Sequence, residues 1–144
     1  VGATGAVGGE MIEVLDERKF PVEALVPLAS PRSAGGSITF RGEDLEVKEL
    51  TKDSFSCVDL ALFSAGSDVS KEYAPIAVHT GTVVIDNSSA WRMDPQVPLV
   101  VPEVNPDALA GHRGLIANPN CCAIPLAMVL KPLHATAGVR RARI

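Results

Sequence analysis

The sequence predicts an α/β domain, a doubly wound and mostly parallel sheet whose first strand is truncated to a stub. Three observations predict it. Gly2, Gly5 and Gly8 set a G-x-x-G-x-x-G turn between the stub and a helical pattern. Short apolar runs then alternate with stretches of helical period. No internal repeat, low-complexity tract or linker divides the 144 residues, which suffice for one core.

In the first helix Val7, Met11, Val14 and Leu15 fall at i, i+4, i+7 and i+8, and they are expected to form its buried face. Residues 24–29 are apolar and are expected as a strand, stopped by the loop of residues 30–36 with its Pro31, Gly35 and Gly36. Residues 38–40 and 45–50, separated by Gly42, read as short strands, with an antiparallel edge pair as one arrangement. Residues 58–63 read as an apolar strand buried on both faces of a parallel sheet. A helix follows in which Val69, Tyr73, Ile76 and Ala77 share a face, Ser67 or Asp68 caps the start and Gly81 ends it. Val83 to Asp86 returns to the sheet, and residues 87–93 form a long loop. Residues 99–101 and 115–117 read as two further short strands. The second of these leads into Asn118-Pro119-Asn120-Cys121-Cys122, and an apolar helix then runs to Gly138.

Composition narrows the function. Thirteen Lys and Arg against seventeen Asp and Glu give a formal charge of −4, the wrong sign for a nucleic-acid or acidic-lipid surface. No apolar run has the ~18 residues of a membrane span. Three cysteines, two of them adjacent, cannot make a paired disulfide framework, so a reducing, cytoplasmic setting is expected. The sequence opens at Val1, directly before the glycine turn, without an initiator Met or a leader, and it reads as a fragment.

Four places can carry chemistry. The glycine turn lets backbone N–H groups at a helix N-terminus approach a pyrophosphate, the Rossmann-like arrangement for a dinucleotide; a plain tight turn is the alternative. Where such folds place an acid for the ribose of NAD, this chain has Ser30, Arg32 and Ser33, which suit the 2′-phosphate of NADP unless Arg32 is only a solvated loop residue. Cys121 precedes an apolar helix, where the dipole and free N–H groups favour an anion such as a thiolate, so it is the candidate nucleophile. Cys122 is its neighbour, and only one of the two can face a ligand; Cys57 is expected to be a buried structural cysteine. Arg92, on a loop after a sheet strand, is a candidate anion clamp. His79, His112 and His134 have no metal-type spacing, and no metal is expected.

Taken together these motifs resemble the aspartate-semialdehyde dehydrogenase family. The resemblance rests on V-G-A-T-G-A-V-G at 1–8, A-S-P-R-S-A-G at 29–35, D-N-S-S-A-W-R-M at 86–93, V-P-E-V-N at 101–105 and A-N-P-N-C at 117–121, in that order along the whole chain. It implies that Cys121 is the catalytic nucleophile, that Arg92 binds the phosphate of an acyl-phosphate substrate, and that Asn87 and Asn120 shape the active site. It also implies that Gly2, Thr4, Gly5, Ala6, Val7, Ser64, Ala65 and Gly66 line NADP, whose 2′-phosphate faces Ser30, Arg32 and Ser33. The family's reaction is the reversible reductive dephosphorylation of 4-phospho-L-aspartate to aspartate 4-semialdehyde, in the pathway to lysine, threonine and methionine. Its expected partners are small-molecule substrate and phosphate, with a homodimer in the full-length protein and neither nucleic acid nor membrane.

Two departures accompany the resemblance. Cys122 stands where many relatives have Ser or Thr. Residues 1–144 correspond to the NADP-binding domain with the nucleophile loop, without the family's C-terminal catalytic and dimerisation domain, so these residues alone are expected to be inactive and weakly soluble and to bind NADP weakly. N-acetyl-γ-glutamyl-phosphate reductase is an alternative with similar chemistry, to which A-S-P-R-S-A-G and N-P-N-C fit less well. A non-catalytic dinucleotide-binding paralogue is another, against which Cys121 and Arg92 speak.

Overall fold

The computed structural model describes residues 1–143. Its parallel strands are β1 (Leu28–Ala29), β4 (Lys48–Glu49), β5 (Leu60–Phe63), β6 (Val83–Asp86) and β7 (Leu115–Ala117). β1 pairs with β4, and β5, β6 and β7 lie side by side in that order. The opening residues join these two groups. Val1 donates its amino group to Leu62 O at 2.7 Å and accepts from Ser64 N at 2.9 Å, a parallel rung with β5. Gly2 and Ala3 then donate to Leu28 O, at 2.8 and 3.1 Å. The combined order is β4-β1-stub-β5-β6-β7, the doubly wound architecture with a minimal central strand.

Three helices connect the strands: α1 (Ala6–Glu17), α2 (Ser67–His79) and α3 (Ala123–Ala137). Phe55, Phe63, Ala74, Ala77 and Val84 form the main core where α2 covers β5 and β6. A hairpin of β2 (Ser37–Phe40) and β3 (Glu43–Glu46) stands apart, turned by Arg41 and Gly42, both at positive φ. A six-residue 3₁₀ turn, Pro106–Gly111, precedes β7.

Several expectations from the sequence need correction. In α1 the buried residues are Gly8 and Ile12, while Val7 and Val14 are exposed. A Cβ on Gly8 would lie 2.2 Å from Gly2 O, so the helix touches the turn at Gly8, and that contact fixes which face turns inward. The strand expected over 24–29 is only Leu28–Ala29, since Pro27 has no N–H to give a ladder. The strand expected over 45–50 is divided at buried Val47, its first part pairing in the hairpin and its second with β1. The strand expected over 58–63 starts at Leu60, after the charged Asp59. Neither Ser67 nor Asp68 caps α2, whose N-cap is Gly66, whereas Gly81 ends the helix as expected, at φ 92 directly after the C-cap Thr80. Residues 99–101 make a single bridge, Leu99 to Ala117, instead of a strand. Cys57 is not buried; it sits in a turn at φ 62 with its side chain exposed.

Candidate active site

The strands β1, β5, β6 and β7 and the stub end on the same edge of the sheet, and each is followed there by one of the loops singled out in the sequence. This is the edge at which open α/β sheets bind ligands.

The first loop is the glycine turn. Gly2 has φ +81, and a Cβ on it would meet Ser64 O at 2.8 Å. Bare backbone therefore passes between the turn and the end of β5. Gly5 is the N-cap of α1 and gives no side-chain cap, and Thr4, Gly5, Ala6 and Val7 are exposed. Gly66 likewise starts α2 at φ 88 without a side-chain cap. Two helix N-termini thus open onto this edge with uncapped N–H groups, next to Ser64 and Ala65. Such a lining fits the pyrophosphate of a dinucleotide, and exposed Val7 supplies apolar surface beside it.

After β1, the N–H groups of Ser33 and Ala34 both return to Ser30 O, at 2.9 and 3.1 Å. This turn presents Arg32 to solvent, and among the described residues its guanidinium has no hydrogen bond or ion pair.

The loop after β6 is held tightly. Ser88 Oγ donates to Asp86 Oδ2 at 2.6 Å and accepts from Ala90 N at 3.1 Å. Trp91 Nε1 donates to buried Ser70 of α2 at 2.8 Å. Arg92 then reaches across to β7: its Nε donates to Asn118 O and its Nη2 to Asn87 O, both at 2.9 Å. Asn118 Nδ2 closes the ring on Asn87 Oδ1 at 2.6 Å. The guanidinium is thereby fixed at the ends of two neighbouring strands, and its Nη1 has no protein partner among the described residues. Asp86 Oδ1, also buried, accepts no hydrogen bond.

Three residues beyond Asn118 the chain reaches the first of the thiols. Asn120 Oδ1 accepts from Cys122 N at 2.8 Å, and Asn120 O accepts from the N–H groups of Ala123 and Ile124. Asn120 thus starts α3 as a helix cap would. Cys121 Sγ lies 4.0 Å from the same Oδ1, and both thiols are exposed. A hydrogen bond and charge interaction with Cys121 push the Cys122 thiol up from its ordinary range.

The structure therefore brings Asn87 and Arg92 into one cluster and places Cys121 on the loop joined to it through Asn118. Ser30, Arg32 and Ser33 lie across the stub, after β1. The sequence reading missed Asn118, Ser70 and the Asp86–Ser88 pair. Asn118 stands inside the N-P-N-C motif; Ser70 had no sequence signal.

Comparison with known proteins gives the family. The family model "Semialdehyde dehydrogenase, NAD binding domain" matches residues 1–112. The chain belongs to the semialdehyde dehydrogenase family. It is 56% identical over 144 residues to the aspartate-semialdehyde dehydrogenase of Aquifex aeolicus, covering 98% of this chain and 42% of that protein. It is 50% identical over 141 residues to the enzyme of that name from Bacillus subtilis, covering 98% of this chain and 41% of that protein. Among solved structures, aspartate semialdehyde dehydrogenase II from Vibrio cholerae complexed with ASA superposes with a TM-score of 0.94 at 51% identity, over 97% of this chain and 46% of that one. The Candida albicans enzyme solved with NADP superposes with a TM-score of 0.79 at 29% identity, over 96% of this chain and 46% of that one. The chain spans less than half the length of these relatives.

Proposed function

We propose that the chain is the NADP-binding domain and nucleophile loop of a phosphorylating aspartate-semialdehyde dehydrogenase, which interconverts 4-phospho-L-aspartate and aspartate 4-semialdehyde in amino-acid biosynthesis. The observation that carries this reading is the hydrogen-bonded link from Arg92 through Asn118 to the Cys121 loop, an anion clamp beside an exposed thiol. Supporting it, the relatives at about half identity bear this enzyme's name. In the full-length protein we assign a homodimer, and a cytoplasmic setting consistent with the three free cysteines.

In the proposed mechanism Arg92 holds the phosphate of the acyl phosphate by the donors that the loop leaves free. The Cys121 thiolate attacks the acyl carbon, phosphate departs, and a thioester forms on Sγ. Bound NADPH supplies the hydride that reduces this thioester. Collapse of the resulting hemithioacetal releases the aldehyde and restores the thiol. Asn120 sets the position of the thiol at the start of α3, and Asn87 anchors the clamp. Thr4, Gly5, Ala6 and Val7, with Ser64, Ala65 and Gly66, line the pyrophosphate, while Ser30, Arg32 and Ser33 face the 2′-phosphate.

The test uses this chain in place of the matching region of the Aquifex aeolicus relative, with phosphate-dependent NADPH formation from aspartate semialdehyde as the readout. Activity that needs no phosphate would overturn the assignment. Two variants refine it. Arg92→Lys is expected to raise the KM for phosphate about tenfold, because a point charge replaces a planar fork; an unchanged phosphate KM with weaker cofactor binding would move Arg92 to the cofactor side. Arg32→Gln is expected to weaken NADP binding by roughly 1–3 kcal/mol and leave NAD binding nearly unchanged. Equal losses for both cofactors, measured by titration, would make Arg32 a loop support instead.

A further inference from the structure

Two free thiols stand side by side at the start of α3, and the proposed reaction uses only one. Cys121 and Cys122 are both exposed and are joined by a trans peptide bond. Asn120 Oδ1 accepts from the Cys122 N–H at 2.8 Å and lies 4.0 Å from Cys121 Sγ, so one short turn carries both residues, and rotation about each Cα–Cβ bond decides whether the two sulfurs meet on one ligand atom. A direct disulfide between them is strained, because neighbouring Cα atoms across a trans peptide are about 3.8 Å apart and a relaxed disulfide needs about 4.4 Å or more. A larger atom placed between the sulfurs lifts that constraint, and thiolate pairs select soft centres.

We propose that Cys121 and Cys122 form a vicinal dithiol site for trivalent arsenicals of the class R–As(OH)₂. Each sulfur forms one As–S bond, and each hydroxyl leaves as water with a thiol proton. Arsenic stays trivalent, so no oxidant or reductant enters. Closure of the second bond is intramolecular, and the pair should hold the arsenical about a hundredfold or more tighter than a single thiol does. Cys57, exposed and far along the sequence from any other cysteine, is the one-thiol comparison within the same chain. Occupation would cover the nucleophile; that inhibitory consequence rests on the proposed function, whereas the binding itself does not.

Phenylarsine oxide is the probe, followed by intact-protein mass spectrometry of the purified chain. One phenylarsenic group per chain should survive washing with excess 2-mercaptoethanol and be removed by 2,3-dimercaptopropanol. While it is bound, iodoacetamide should label Cys57 and spare the pair. Cys121→Ser and Cys122→Ser should each lose retention about a hundredfold, the chelate advantage, and Cys57→Ser should keep it. Equal retention in either single-thiol variant, or removal of the group from the parent chain by the monothiol, would overturn the proposal. In the grafted enzyme, retention without loss of turnover would leave the dithiol site standing and place the reaction's nucleophile elsewhere.

Discussion

Cys121→Ser in the grafted enzyme is expected to lower kcat by at least about a thousandfold, since a serine hydroxyl is a far weaker nucleophile at neutral pH than a thiolate. Cys122→Ser and Cys57→Ser should keep most of the turnover. The three thiols are all exposed, so accessibility does not choose among them. Position does. Cys121 occupies the turn that Asn118 ties to Arg92, Cys57 precedes β5, and the Cys122 thiol is pushed up by its hydrogen bond to Cys121. Iodoacetamide labelling near neutral pH should accordingly modify Cys121 ahead of Cys122. A Cys122→Ser variant that loses turnover while Cys121→Ser retains it would shift the assignment by one residue.

Gly8→Ala is expected to destabilise the fold by roughly 3 kcal/mol or more, because the added Cβ would lie 2.2 Å from Gly2 O and 3.0 Å from Ala3 Cα, all rigid backbone. Relief requires α1 to move off the turn, which would also displace the N–H groups proposed for the pyrophosphate. Gly9→Ala, one position along, is the control. A Cβ there meets nothing within 4 Å, and alanine in a helix is favoured over glycine by about 0.5–1 kcal/mol, so this variant should be neutral or more stable. Equal urea midpoints for the two variants would show that the contact between α1 and the turn is loose.

The alternation of strands and helices was legible because it follows from local pattern: β6, β7 and α3 lie where apolar runs and punctuating residues place them. All five candidate loops were legible for the same reason, since each is a motif contiguous in sequence. The orientation of α1 was not. Its apolar spacing allows more than one inward face, and the close approach of Gly8 to Gly2 decides between them only in three dimensions. The apolar pattern over 58–63 runs through Asp59 and so overstates the strand, which starts at Leu60. The network behind Arg92 was invisible for a different reason. Three of its bonds join residues 21 to 31 positions apart, Trp91 to Ser70, Arg92 to Asn118 and Asn118 to Asn87, and the neighbours of these residues do not announce the partners.

Trp91 is the chain's only tryptophan. Its indole N–H is held by Ser70, its ring packs against the main core, and the next residue is Arg92. The chain therefore contains a built-in fluorophore one peptide bond from the anion clamp. Its emission reports the polarity around the indole, so an anion that shifts Arg92 and loosens or tightens the loop changes the spectrum without any label. Excitation selective for tryptophan makes that single side chain an optical gauge of the phosphate loop, readable in a cuvette and separate from the absorbance of a reduced nicotinamide used to follow turnover.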